Sequence, residues 1–191
     1  MCELVTKEPG FESSAERCFL LPKLACESLL VQDSLFVRFM FGPDFKLLDK
    51  LFDFYVVPDS GQLNQTLAGY IHKIVCFWLI KEPDQVLSYF TEPKRQGKIL
   101  DAMFTHIYLS HCVTDLLVRL CTVPEIKPAQ TDKYQELRSA ILQWCINEMD
   151  QTDEFVTEQI FDILNGIVKK CYTMFSPGQF FQEVMSAFHF M

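Results

Sequence analysis

Residues 63–90, LNQTLAGYIHKIVCFWLIKEPDQVLSYF, decide how the rest of the chain is to be read. Leu63, Leu67, Tyr70, Ile71, Ile74 and Trp78 recur at intervals that place them on one face of a helix over 63–80. Val75, Cys76, Phe77 and Leu79 then make its second half apolar nearly all round, the mark of a helix covered on several sides. Lys81-Glu82-Pro83-Asp84 stops it, and DQVLSYF forms a shorter helix with Asp84 as its N-cap after Pro83. A central helix of this kind needs neighbours before and after it.

Working outward, the chain supplies them. Pro22 suits the first turn of a helix over PKLACESLLVQ, and Asp33-Ser34 offers a cap for LFVRFMF, which Gly42-Pro43 closes. In PDFKLLDKLFDFYVV, Phe45, Leu48, Leu51, Phe52 and Tyr55 share one side while Lys46, Asp49, Lys50 and Asp53 fill the other. That pattern predicts an amphipathic helix of about four turns, stopped by PDSG. GKILDAMFTHIYL and SHCVTDLLVRLCTV follow, with Ser110 as a cap between them, and then Pro124 and Pro128 bracket a linker. KYQELRSAILQWCINEM, EFVTEQIFDILNGIVKKCYTMF and GQFFQEVMSAFHFM complete the series. Helical hairpins joined by short breaks predict an all-α, HEAT/armadillo-like right-handed stack, irregular because no fixed sequence period is present.

Composition agrees with helices. Of 191 residues, 49% are hydrophobic, enough for a sizeable core, while only 7 are Gly and 18 are Phe, which disfavours disorder and turn-rich β architecture. Seventeen Lys and Arg against 25 Asp and Glu give a net charge of -8, so a polyphosphate would be repelled and nucleic acid is not an expected partner. The longest apolar run, IVCFWLI, is far short of the ~20 residues a membrane span needs, and Met1-Cys2-Glu3-Leu4 lacks the start of a signal peptide. The expectation is a soluble intracellular chain without a membrane partner. Its 8 cysteines contain no C-x-x-C pair and read as reduced packing thiols.

The runs LACESLL, LLDKLFDF, GQLNQTLAGYIHKIV, KEPDQVLSYF and HCVTDLLVRLCTV, in this order, resemble the SAPS-domain family, regulatory subunits of the protein phosphatase 6 class of Ser/Thr phosphatases. The matching positions are Ala25-Cys26-Glu27, Leu63-Asn64, Leu67-Ala68, Lys73, Gln85-Val86, Phe90, His106-Ile107, Asp115-Leu116-Leu117 and Arg119-Leu120. Where the family has Gly-Thr-Ser after His-Ile, this chain has YLSHC. The resemblance implies a non-catalytic regulatory or scaffold subunit that binds a protein phosphatase 6 type catalytic subunit and helps target it to substrates, in the cytoplasm and also the nucleus, with further scaffold proteins as additional partners. It implies a SAPS-like helical-repeat domain at 19–191 with a linker at 123–131, preceded by a flexible segment at 1–18. The candidate partner-binding residues it implies are Asn64, Lys73, His106, Asp115 and Arg119. Two alternatives stand beside it: a short divergent paralogue acting as scaffold or competitor without phosphatase binding, and a metal- or thiol-dependent hydrolase.

Catalytic equipment is not visible. No phosphate-cradling glycine loop and no G-x-S-x-G elbow occurs. His72 and Cys76, at i and i+4, share a helix face and could hold one ion together, but a structural zinc takes four ligands and a catalytic one three. The remaining candidates, His106, His111 and Cys112, fall in a different helix pair, so the pattern predicts packing residues, no metal and no cofactor. A Cys112 nucleophile activated by His111 is disfavoured because adjacent helical residues point about 100° apart. Acidic residues from Asp150 through DEFVTE suit a helix N-terminus. Asp115 and Arg119, four apart, can pair along one helix.

Overall fold

The computed structural model describes residues 1–7, 10, 14, 16–42, 44–56, 63–107, 110–123, 134–149 and 154–174, with side chains to 170. Among these residues there are ten α-helices and no strand: α1 (Cys2–Thr6), α2 (Leu21–Ser28), α3 (Ser34–Met40), α4 (Lys46–Phe52), α5 (Gln65–Lys81), α6 (Pro83–Phe90), α7 (Pro93–Thr105), α8 (His111–Thr122), α9 (Gln135–Glu148) and α10 (Glu154–Met174). A π-helical turn at Glu16–Leu20 leads into α2. The protein is all-α. None of the described helices is long and apolar enough to cross a membrane. The chain divides into two compact units, Met1–Leu116 and Leu117–Met191.

In the first unit α5 occupies the middle, packed against α1, α2 and α6. Its start is set by Asn64, whose side-chain oxygen accepts from the backbone N–H of Thr66 and Leu67, both at 3.1 Å, and so satisfies two of the helix's orphan donors. Leu67, Ala68, Ile71, Ile74, Val75, Cys76, Trp78 and Leu79 are all buried, as a helix covered on several sides requires. Trp78 is fully enclosed, touching the rings of Phe36, Phe41 and Phe77, and its Nε1–H donates to the carbonyl of Leu29 at 3.0 Å. Asp33 caps α3 in the same manner as Asn64 caps α5, accepting from Leu35 and Phe36.

Two boundaries differ from the sequence reading. Asp84 is not the N-cap of α6; Glu82 takes that place and Pro83 is the first helical residue. Proline is well suited there, since its φ is already helical and the missing N–H would have had no partner in the helix. Asp84 falls in the first turn, where its charge complements the helix dipole. The helix expected over four turns around Leu48 is the two-turn α4. Beyond Phe52 the chain tightens, with Tyr55 N–H donating to Phe52 O at 3.0 Å and Val56 N–H to Asp53 O at 3.2 Å. Phe54 and Tyr55 are both buried, their rings turned inward on this tighter turn. Of the predicted inner face, Leu48, Leu51, Phe52 and Tyr55 are buried, while Phe45 is half-buried and precedes the helix at its N-cap.

The phenylalanine content has a structural use. Phe52 stacks on Tyr89 at 5.4 Å and meets Phe90 edge-on at 4.9 Å, locking α4 to α6. Residues 2–6 belong to this packing as well, since Cys2 and Val5 of α1 are buried and α1 contacts α2, α4 and α5.

In the second unit α9 packs on α10. Leu137, Ile141 and Cys145, spaced four apart, bury the inner stripe of α9. A Cβ on Gly166 of α10 would stand 3.0 Å from Val118, so glycine there permits the close approach. The Pro-bracketed linker, residues 150–153 of the acidic stretch and the Phe-rich segment from 175 lie outside the described residues. None of the seven described cysteines is in a disulfide.

Candidate functional site

His72 and Cys76 lie one turn apart on α5, both on the side that faces the start of α8. Asp115 of α8 reaches them. His72 Nε2 stands 2.7 Å from Asp115 Oδ2 and 3.4 Å from Cys76 Sγ. Each of the three residues offers a ligand atom, and all three atoms lie within 4.8 Å of one another. An ionised carboxylate only accepts, so the proton on Nε2 is donated to Asp115. A Cys–His–Asp relay needs the thiol on one ring nitrogen and the carboxylate on the other, and here both converge on Nε2. The arrangement therefore is not that of an activated nucleophile. The His72 and Asp115 side chains keep 23% and 27% of their surface exposed, so solvent reaches the cluster, while Cys76 forms its buried wall.

His106 follows the last turn of α7 and is buried, its Nε2–H donating to the backbone carbonyl of Tyr55 at 3.1 Å. A carbonyl has no hydrogen to give, so Nε2 carries the proton. The Tyr55 hydroxyl has no hydrogen-bond partner among the described residues. Its pKa is raised, first by burial and then by the charges that Cys112 and Cys76 would carry.

A second cluster surrounds Arg95 of α7. Its guanidinium donates to Asp49 through Nε at 2.7 Å and through a terminal nitrogen at 3.2 Å, reaches the carbonyl of Asp44 at 2.8 Å and pairs with Glu92. It also lies over the rings of Phe45 and Tyr89, at 5.6 and 5.4 Å from their centres. Phe45 has φ 50°, a left-handed conformation that a bulky residue adopts only where its surroundings hold it. Hydrogen bonding to Asp49 raises the Arg95 pKa further, so this cation is fixed. An open cleft beside it is lined by Asp53, Lys94 and Lys98 as well. The packing here is that of a rigid corner between α4, α6 and α7.

The five residues singled out from the sequence fare differently. Asn64 is the helix cap of α5 and His106 a buried hydrogen-bond donor, so each has a structural role. Asp115 pairs across helices with His72. Lys73 is exposed and Arg119 partly so. Sequence reasoning missed Asp115 as a neighbour of His72, and it missed Arg95; no local pattern signals a partner that lies on another helix. Exposed apolar side chains, Leu35 and Phe39 on α3 and Ile80 on α5, were legible only as members of apolar runs.

Among the described residues the protein is all-α, and its two polar clusters each join side chains of different helices. The chain is 29% identical over 148 residues to the human serine/threonine-protein phosphatase 6 regulatory subunit 1, an alignment covering 78% of this chain and 15% of that protein. The likeness is distant, and the chain spans less than a sixth of that relative's length in it. No family model matches the chain, and no solved structure matches it.

Proposed function

We propose that the chain is a non-catalytic regulatory or scaffold subunit that binds a protein phosphatase 6 type catalytic subunit. The observation that carries this reading is the alignment with a phosphatase 6 regulatory subunit along 78% of the chain. The all-helical fold supports it, because helical hairpins stacked as this proposal has them would present their loop edges as one continuous surface. Lys73 and Arg119, which remain accessible, are the contacts proposed for the catalytic subunit. SAPS-domain membership, a right-handed stack and a cytoplasmic and nuclear location belong to the same proposal.

Purified phosphatase 6 type catalytic subunit, passed over the immobilised full chain, should be retained. Lys73→Glu with Arg119→Glu should weaken retention at least about tenfold, and Lys73→Glu alone should do so with helix content unchanged, since a reversed charge at an exposed position disturbs an interface far more than a fold. A folded chain that never retains the catalytic subunit would leave only the divergent scaffold reading.

A further inference from the structure

We infer that His72, Cys76 and Asp115 form a binding site for a divalent zinc-class transition-metal ion, with three protein ligands and a solvent molecule in the fourth position. A tetrahedral zinc with bond lengths of about 2.0–2.3 Å separates an imidazole nitrogen from a carboxylate oxygen by about 3.3 Å, and from a thiolate sulfur by about 3.6 Å. The distances here are 2.7 Å for the first pair and 3.4 Å for the second. The three ligand atoms lie within 4.8 Å of one another, so the ion is admitted when the carboxylate swings to open the His72–Asp115 contact by roughly half an ångström and to bring its oxygen within about 3.6 Å of Cys76 Sγ, a movement within the rotamer freedom of a partly exposed side chain.

The donor set selects the ion. Imidazole and thiolate together disfavour magnesium and calcium, which take oxygen ligands, and suit zinc or cobalt. Three protein ligands leave one position, and the exposure of His72 and Asp115 gives water access to it. Binding releases the Sγ proton to solvent, moves the imidazole proton from Nε2 to Nδ1, and ties α8 to α5.

The test is a titration of the reduced, metal-free full chain with cobalt(II). A saturable thiolate-to-cobalt charge-transfer band, with the strong visible bands of a four-coordinate ion, is expected at one ion per chain, and zinc should displace it. Asp115→Asn and His72→Gln should each weaken cobalt binding on the order of 100-fold, at or beyond what outer-shell changes cost. Cys76→Ser should abolish the charge-transfer band. Because Cys76 is buried and its variant could misfold, the partly exposed Asp115→Asn, checked by circular dichroism, carries the decision if it does. X-ray absorption of the zinc form should show one sulfur among nitrogen and oxygen neighbours. Absence of the band in the wild-type chain, a band of undiminished affinity in Asp115→Asn, or several sulfurs around the zinc would each overturn the site.

Discussion

Trp78→Ala tests the packing of the first unit at its centre. The side chain is completely buried, its ring lies 5.1 to 6.1 Å from three phenylalanine rings, and its Nε1–H is the donor to the Leu29 carbonyl. Truncation removes the transfer free energy and leaves a cavity, together about 3–5 kcal/mol for a large aromatic. It also strips the donor from the carbonyl of Leu29, itself a buried residue at the end of α2, which costs a further ~1–3 kcal/mol if nothing replaces it. The sum, about 4–8 kcal/mol, is from about a quarter to all of the stability of an ordinary domain of about 5–15 kcal/mol. Trp78→Phe separates the two contributions, because it keeps most of the ring and loses the donor; about 1–3 kcal/mol is expected. Urea unfolding followed by far-ultraviolet circular dichroism measures both, with the slope checked so that a midpoint shift can be read as stability. A cost below about 1 kcal/mol for Trp78→Ala would refute the central position of α5. Equal costs for the two variants would mean that the hydrogen bond, and not the aromatic packing, holds this layer.

Helix glycines give a second test: a Cβ at Gly69 or Gly97 would meet nothing within 4 Å, so Gly→Ala at either should stabilise by about 0.5–1 kcal/mol through helix propensity. Gly166→Ala should forfeit that gain, because the stiff β-branched Val118 stands 3.0 to 3.1 Å from the new methyl; thermal melts of the three variants should therefore diverge in sign or size. A third concerns alkaline pH. Burial pushes the Cys145 thiol from its ordinary 9.0 up to about 12, so the folded chain holds this proton more tightly than the unfolded one. Its contribution is full below pH 9.0 and is lost as pH rises through about 12, with the unfolded state binding fewer protons over that interval. At 1.36 kcal/mol per pH unit the loss is on the order of 4 kcal/mol, and Cys145→Ala should flatten that part of the stability profile in urea titrations. Cys2 and Cys26, also raised by burial, act in the same direction.

Helix placement was legible because its determinants are local. Asp33 caps the helix that follows it, as its position indicated, and the apolar periodicity of 63–80 identified a helix buried on several sides; Asn64, read as a partner contact, is instead the cap of that helix. Local information failed first where a neighbour intervened. Tyr55 fits a continuing amphipathic helix by spacing, yet the chain leaves the α-helix at Phe52, and Phe54 and Tyr55 are both buried beyond its end. Pro83 displaced Asp84 as the boundary because either residue would have served, and only the backbone path chooses between them.

The sequence by itself determined that the chain is a set of helices with ample apolar surface to bury, since propensity, caps and period are properties of residues a few positions apart. It also showed His72 and Cys76 on one face. Only the tertiary structure decided that Asp115, 43 residues away, stands beside His72, and that Arg95 and Asp49, 46 apart, close a corner around Phe45 and Tyr89. Which side chains meet across two helices depends on the rotation and offset of one helix against the other. Those are fixed by how all the intervening side chains interdigitate at close packing, and no window of sequence contains that information.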